Sequence, residues 1–203
     1  MNQPQVDWQK MDNLIPCVVQ DNSTQNVLML GYMNPEAYQK TQETGFVTFY
    51  SRSRNKIWQK GETSGNKLVV KSLHLDCDND ALLAKVDPLG PTCHKGVTSC
   101  FTENELSSLS FLGALDKLIE QRYESQPEGS YTTKLFQEGV HRMAQKVGEE
   151  GVEVALAAKD PATEELLGES ADLIFHLMVL LRGKGHSLQD ALAVLQQRRQ
   201  KTR

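Results

Sequence analysis

The sequence predicts two domains, an N-terminal α+β domain built on a small mixed sheet and a C-terminal all-α helical bundle. Two features predict this. Hydrophobic periodicity switches midway from short apolar runs to helical spacing, and a polar segment, "TENELSSLS" at 102–110, lies at the switch. The 203 residues are enough for two small cores, and 39% hydrophobic with 24% charged residues is a globular composition. The expected domains are residues 1–108 and 109–203.

In the first half, "LIPCVVQ", "NVLMLGYM", "FVTFYSR" and "KLVVKSLHL" are rich in Val, Leu, Phe and Tyr, and turn residues separate them, which predicts strands. A helix interrupts them: Asn34 caps it, Pro35 suits its first turn, and Gly45 ends it. "KIWQKGE" adds a strand, and "ALLAKV" another after a turn at Asp78-Asn79-Asp80. In the second half a first helix is expected around Phe111–Tyr123, followed by the loop "ESQPEGS". A second helix carries Phe136, Val140, Met143, Val147, Val154 and Ala158, and a third carries Leu167, Ala171, Ile174, Met178 and Leu181. Ser187 with Asp190 opens a fourth, on which Leu188, Leu192 and Leu195 lie.

The net charge of −4 is evenly spread, with 10 basic against 12 acidic residues in 1–112 and 12 against 14 in 113–203. Neither half is basic, which argues against a nucleic-acid partner. The longest apolar run, "LIFHLMVLL", has nine residues and a histidine inside it, too few to span a bilayer. The opening "MNQPQVDWQK" lacks the apolar core of a signal peptide, so a cytoplasmic protein without membrane contact is expected. In that compartment Cys17, Cys77, Cys93 and Cys100 are thiols or metal ligands rather than disulfides.

"LDCDND" at 75–80 holds Asp76, Cys77, Asp78 and Asp80. An extended segment would put the three carboxylates on one face and Cys77 on the other. Hard carboxylate oxygens suit Mg²⁺ and soft thiolate suits Zn²⁺; the alternative is a charged hairpin turn around Asn79. Cys77, Cys93 and Cys100 give zinc three protein ligands. His94 is then either a fourth ligand or a proton-transfer group beside an open position. The competing reading makes Cys93 and Cys100 small buried residues, as Cys17 in "IPCVV" is read.

"SRSRNKIWQKGETSGN" at 51–66 clusters Arg52, Arg54, Lys60, Thr63 and Ser64 with glycines, the groups a phosphate needs, unless it is a solvated hairpin. Trp58 stacks on a base or packs in the core. Among the helices, Glu150 and Glu153 are three apart, as are Glu169 and Asp172, so each pair shares a helix face. Two facing pairs make an oxygen-rich site for Mg²⁺ or Mn²⁺, and Glu149 is the weaker candidate for orienting water. None of these four acids has a histidine three residues after it, which disfavours a ferritin-like di-iron site. Lys134, Arg142 and Lys146 precede the acids, either to bind phosphate or to pair with surface carboxylates.

Together these residues resemble the fused phosphoribosyl-AMP cyclohydrolase and phosphoribosyl-ATP pyrophosphohydrolase family of histidine biosynthesis. The likeness spans nearly the whole chain. It rests on "VVQD", "LMLGYMN", "SRSR", "WQKGETSGN", "LDCDND" and "GPTCH…SCF", then on "YTTKLF", "KVGEEGVEVALAA" and "ESADLIFHLMVLL". The acids also follow the EExxE…ExxD pattern of the all-α nucleotide pyrophosphatases. The resemblance implies Mg²⁺ on Asp76, Asp78 and Asp80, and Zn²⁺ on Cys77 from one subunit with Cys93 and Cys100 from its partner. It implies that both halves form homodimers acting on small nucleotides, the second half on an ATP derivative. The helical domain is then expected to release pyrophosphate from phosphoribosyl-ATP, and the first domain to hydrolyse the adenine N1–C6 bond of phosphoribosyl-AMP. A zinc nucleoside deaminase is the rival enzyme, but H-x-E and P-C-x-x-C are both missing. The non-enzymatic rival is a zinc-stabilised dimerisation module fused to a bundle.

Overall fold

The structure is a computed structural model that describes residues 6–101, 108–159 and 163–201. Most of "TENELSSLS", where the domain boundary is expected, lies outside the described residues. The chain divides into two compact units, residues 1–113 and 114–203.

The first unit is the expected mixed sheet. Strands β1 (Ile15–Asp21), β2 (Val27–Met33), β5 (Leu68–Leu75) and β6 (Leu82–Pro88) form one sheet in the order β2-β1-β6-β5. β1 pairs antiparallel with β2 and parallel with β6, and β6 pairs antiparallel with β5. β1 and β6 are central, and their side chains alternate between buried and half-buried along most of each strand, the period of a sheet with one core face. Strands β3 (Thr48–Ser51) and β4 (Lys56–Gln59) make a separate hairpin. The core joins Ile15, Cys17 and Val19 of β1 to Leu28, Phe49, Leu68, Leu82 and Val86. Burial without a charged partner pushes the Cys17 thiol up to about 12, so it stays a neutral packing group.

Helix α1 (Pro35–Thr44) follows β2 and starts as the sequence predicts. The Ala37 amide donates to Asn34 Oδ1 at 2.9 Å, and Gly45 closes the helix at φ 71°. Gly31 is needed for another reason: a Cβ there would come within 2.4 Å of the Phe49 ring, so β2 could not lie this close to the hairpin.

The second unit is helical, with five helices among the described residues where four are expected. They are α2 (Ser108–Ser125), which begins in the first unit, then α3 (Tyr131–Glu138), α4 (Val140–Ala157), α5 (Thr163–Gly183) and α6 (Leu188–Lys201). The expected second helix is two, because Gly139 takes φ 86° and ψ −179° and breaks the hydrogen-bond ladder. Phe136, Val140 and Met143 keep helical spacing across that break, so periodicity alone passes over it. Ser187 and Asp190 cap α6 reciprocally: the Ser187 amide donates to Asp190 Oδ2 at 2.8 Å and the Asp190 amide to Ser187 Oγ at 3.3 Å. α4 and α5 pack side by side, and Met143, Met178 and Val179 are buried. No described helix is long and apolar enough to cross a membrane.

Candidate functional sites

Asp76, Asp78 and Asp80 each offer a carboxylate oxygen to one cluster, all within 4.8 Å of one another. They do not reach it by strand alternation. β5 ends at Leu75, and 76–80 is a turn with Asn79 at φ 62°. Asp76 Oδ1 accepts from the amides of Asp80 at 3.0 Å and Ala81 at 3.1 Å, which folds the segment back on itself. Of the two readings of this segment, the structure has the hairpin turn around Asn79 and not the extended face. Lys10, which no local pattern singles out, bridges Asp78 and Asp80, at 2.7 Å from Asp80. Its ammonium holds the Asp78 carboxyl below the usual range, and the two aspartates raise the lysine in return. This turn gathers negative charge and already attracts a cation. Its all-oxygen donor set suits a hard divalent ion.

Cys77 sits exposed on the same turn. Cys93 is buried, Cys100 is exposed, and their thiols are within hydrogen-bonding reach of each other. The 93–100 loop is tied to β2: Ser99 Oγ donates to the Val27 carbonyl at 2.7 Å and the Cys100 amide to Leu28 at 2.8 Å. Burial pushes the Cys100 thiol up, and the neighbouring Cys93 thiol adds to the rise. Among the described residues of one chain, no three-ligand group includes a cysteine, so Cys77 does not join the other two. His94 lies exposed beside Cys93, with Nδ1 3.9 Å from its sulfur.

An open groove of about 670 Å³ lies beside the β3–β4 hairpin, lined by Met29, Tyr32, Phe49, Arg52 and Trp58 among others. The Arg52 guanidinium rests 3.9 Å from the centre of the Tyr32 ring, and Trp58 packs on Phe49 at 5.3 Å. Trp58 thus packs in the core and also borders the groove. Arg54 is exposed on the hairpin turn, while Lys60, Thr63 and Ser64 lie on the turns after β4, outside the lining of that groove.

In the helical unit, Glu150 of α4 meets Glu169 and Asp172 of α5, again with oxygens within 4.8 Å. Glu150 is only 4% exposed, which is unusual for a carboxylate. Lys146, one turn earlier, donates to its Oε1 at 2.5 Å and holds the carboxyl low. Glu169 moves the other way: burial first, then the charges of Glu153, Glu150 and Asp172, push its carboxyl up. Glu153 is exposed and stands beside this triad rather than within it. A divalent cation among the three oxygens would relieve the repulsion that raises Glu169.

Glu149 faces cations instead, taking Gln145 at 2.7 Å, Lys146 at 3.1 Å and Arg142 at 3.4 Å. Arg142 also reaches Glu138 at 3.6 Å, and the exposed Lys134 reaches Glu138 at 3.8 Å. Lys134 and Arg142, two of the expected phosphate-binding cations, are thus loosely held by surface acids, while Lys146 is held closely by the buried Glu150. His176 is the residue here to which sequence reading gave no role. It lies four residues after Asp172 and seven after Glu169, a spacing that puts all three on one helix face.

Residues 29–102 match the phosphoribosyl-AMP cyclohydrolase family, and residues 112–199 match the phosphoribosyl-ATP pyrophosphohydrolase family. The chain is similar to the histidine biosynthesis bifunctional protein HisIE of Bacteroides thetaiotaomicron, with 50% identity over 198 residues covering 98% of each chain. It is 53% identical to the protein of that name from Photobacterium profundum over 201 residues, 97% of each chain. With the one from Xanthomonas campestris pv. campestris the identity is 55% over 193 residues, 95% of this chain and 92% of the relative. Both units and nearly the full length are therefore matched at once, and the chain belongs to the family of bifunctional histidine-biosynthesis proteins, a cyclohydrolase unit followed by a pyrophosphohydrolase unit.

Proposed function

We propose that this chain performs two hydrolyses of histidine biosynthesis, in reverse chain order. The helical unit splits phosphoribosyl-ATP into phosphoribosyl-AMP and pyrophosphate. The first unit then hydrolyses the N1–C6 bond of the adenine ring. The observation that carries the reading is the Glu150, Glu169 and Asp172 triad, an all-carboxylate centre in the unit matched to the pyrophosphohydrolases.

In the helical unit, Glu150, Glu169 and Asp172 would hold Mg²⁺, with Glu153 beside them as the fourth carboxylate. Such an ion supplies charge neutralisation for a triphosphate. Lys146 holds the Glu150 carboxyl low. Lys134 and Arg142 would exchange their surface acids for the substrate's phosphates, whose charge is higher, and Lys146 would reach a phosphate from beside Glu149 and Glu150. Glu149, next to Glu150 on α4, would orient the water that attacks phosphorus.

In the first unit, Asp76, Asp78 and Asp80 would hold Mg²⁺. Cys93 and Cys100 would hold Zn²⁺ together with Cys77 of the partner subunit. A bound zinc acidifies a water. The ribosyl group on N1 makes C6 electrophilic. Water adds at C6, the N1–C6 bond breaks, and His94 would carry the water's proton toward N1. Arg52, Arg54, Lys60, Thr63 and Ser64 would receive the phosphate, and Trp58 the base.

Two observations support a homodimer. Among the described residues of one chain, Cys77 stands apart from Cys93 and Cys100. Val152, Leu156 and Leu167, on the helices that carry the acids, are 58–63% exposed. A biosynthetic hydrolase without a described membrane helix fits the cytoplasm.

Incubation of the purified protein with phosphoribosyl-ATP tests the reading. Pyrophosphate release should precede adenine-ring opening, which is followed by absorbance. A protein that releases no pyrophosphate and opens no ring is not this enzyme.

A further inference from the structure

We propose that His176 is a positioning residue of the helical centre: its Nε2 proton steadies Glu150 so that this carboxylate can hold a divalent cation with Glu169 and Asp172. The inference rests on the reading of that triad as a metal centre.

Three observations carry it. His176 is 5% exposed, and its Nε2 faces Glu150 Oε1 at 3.7 Å. Its Nδ1 is buried with no hydrogen-bond partner among the described residues. Of the two ring nitrogens only Nε2 faces an acceptor, so the tautomer with its proton on Nε2, toward the carboxylate, avoids burying an N–H that points at no acceptor. Finally, the ring is held on two sides, with Tyr131 edge-on at 5.9 Å and Phe175 at 5.2 Å. These aromatic walls fix the imidazole plane and exclude water from it.

Glu150 Oε1 thus lies between two donors, the Lys146 ammonium at 2.5 Å and the His176 ring. The lysine is long and flexible, and it is shared with Glu149. The histidine is rigid, and it belongs to the same helix as Glu169 and Asp172. It therefore ties the orientation of the one acid on α4 to the two on α5. At 3.7 Å the pair is longer than a hydrogen bond and acts as a close electrostatic contact between the ring and the carboxylate. A histidine that merely filled the core would have no such effect on cation affinity.

The test uses the metal-free full chain with Asp76, Asp78 and Asp80 changed to Asn, so that Mn²⁺ followed by electron paramagnetic resonance reports only the helical unit. His176→Gln keeps an N–H donor and His176→Met removes it, while both residues are unbranched helix formers of similar propensity. The Gln variant should bind Mn²⁺ within about threefold of the parent, and the Met variant about 10- to 100-fold more weakly, the usual effect of losing a partner behind a ligand. A folded Met variant with parental affinity overturns the role of His176. Should the Met variant not fold by circular dichroism, the Gln variant decides: parental affinity sustains the role and a tenfold loss overturns it. Glu169→Gln in the same background separates the two levels of the argument. If it too binds Mn²⁺ like the parent, the metal-centre reading itself fails; if it loses Mn²⁺ while His176→Met does not, only the positioning role does.

Discussion

Lys10 and Lys146 solve the same problem in the two units. Each places one ammonium between two carboxylates, Asp78 and Asp80 in the first case and Glu149 and Glu150 in the second. The two were not equally legible in the sequence. Lys146 precedes its partners by three and four residues, so helical spacing announces the contact. Lys10 is 68 residues from Asp78, and no local pattern connects them. The same limit applies to the cysteines: spacing nominates three thiols without showing which of them meet, the family resemblance implies that Cys77 comes from a different subunit, and in the fold Cys93 and Cys100 are adjacent with Cys77 apart. Single substitutions should separate the two proposed chemistries. Cys93→Ala is expected to lose bound zinc and ring opening while releasing pyrophosphate at the parental rate. Glu153→Gln, which keeps shape and removes charge, should do the reverse, cutting phosphoribosyl-ATP turnover at least tenfold at limiting Mg²⁺ while supplied phosphoribosyl-AMP is still opened. Parental ring opening by Cys93→Ala would remove zinc from the mechanism.

Elements were most legible where a chemical end signal accompanies the periodicity. α1 has both ends written in the sequence, Asn34 before it and Gly45 after it, and α6 opens on the Ser187 and Asp190 pair. The α3–α4 junction was not legible, because the apolar spacing runs through Gly139 while the backbone there turns to positive φ. The 76–80 segment was legible as two alternatives, an extended face or a turn around Asn79; Asp76 gives its carboxylate to two backbone amides, and that decides for the turn. The α1 cap offers a quantitative check. Both tryptophans, Trp8 and Trp58, fall in the first unit, so tryptophan fluorescence follows that unit alone. Removing the Oδ1 acceptor with Asn34→Ala should cost about 1 kcal/mol and lower the urea midpoint read by fluorescence. Asn34→Ser should recover most of it. An unchanged midpoint in the Ala variant would mean that the cap contributes nothing to the unit's stability.

For the whole molecule, the change of texture along the chain and the compact units agree that there are two cores, although the units meet inside α2, at 113, and the texture changes over 102–110. Two cores of this kind should carry two separable activities, since each proposed centre draws its ligands from one unit: the cysteines and Asp76, Asp78 and Asp80 from the first, the glutamates and Asp172 from the second. On the proposed reading each unit works as a homodimer: the zinc site of the first would take Cys77 from the partner, and the second exposes Val152, Leu156 and Leu167 beside its acids. Expressed apart, 1–108 should therefore open phosphoribosyl-AMP, and 109–203 should release pyrophosphate, each as a dimer by sedimentation. The fragments should melt below the intact chain, because any surface buried between the units is lost. A monomeric 1–108 that binds zinc and turns over would refute the shared thiols while leaving the two-core division intact. Two unfolded, inert fragments would refute the division itself, because each proposed core would then need the other in order to fold.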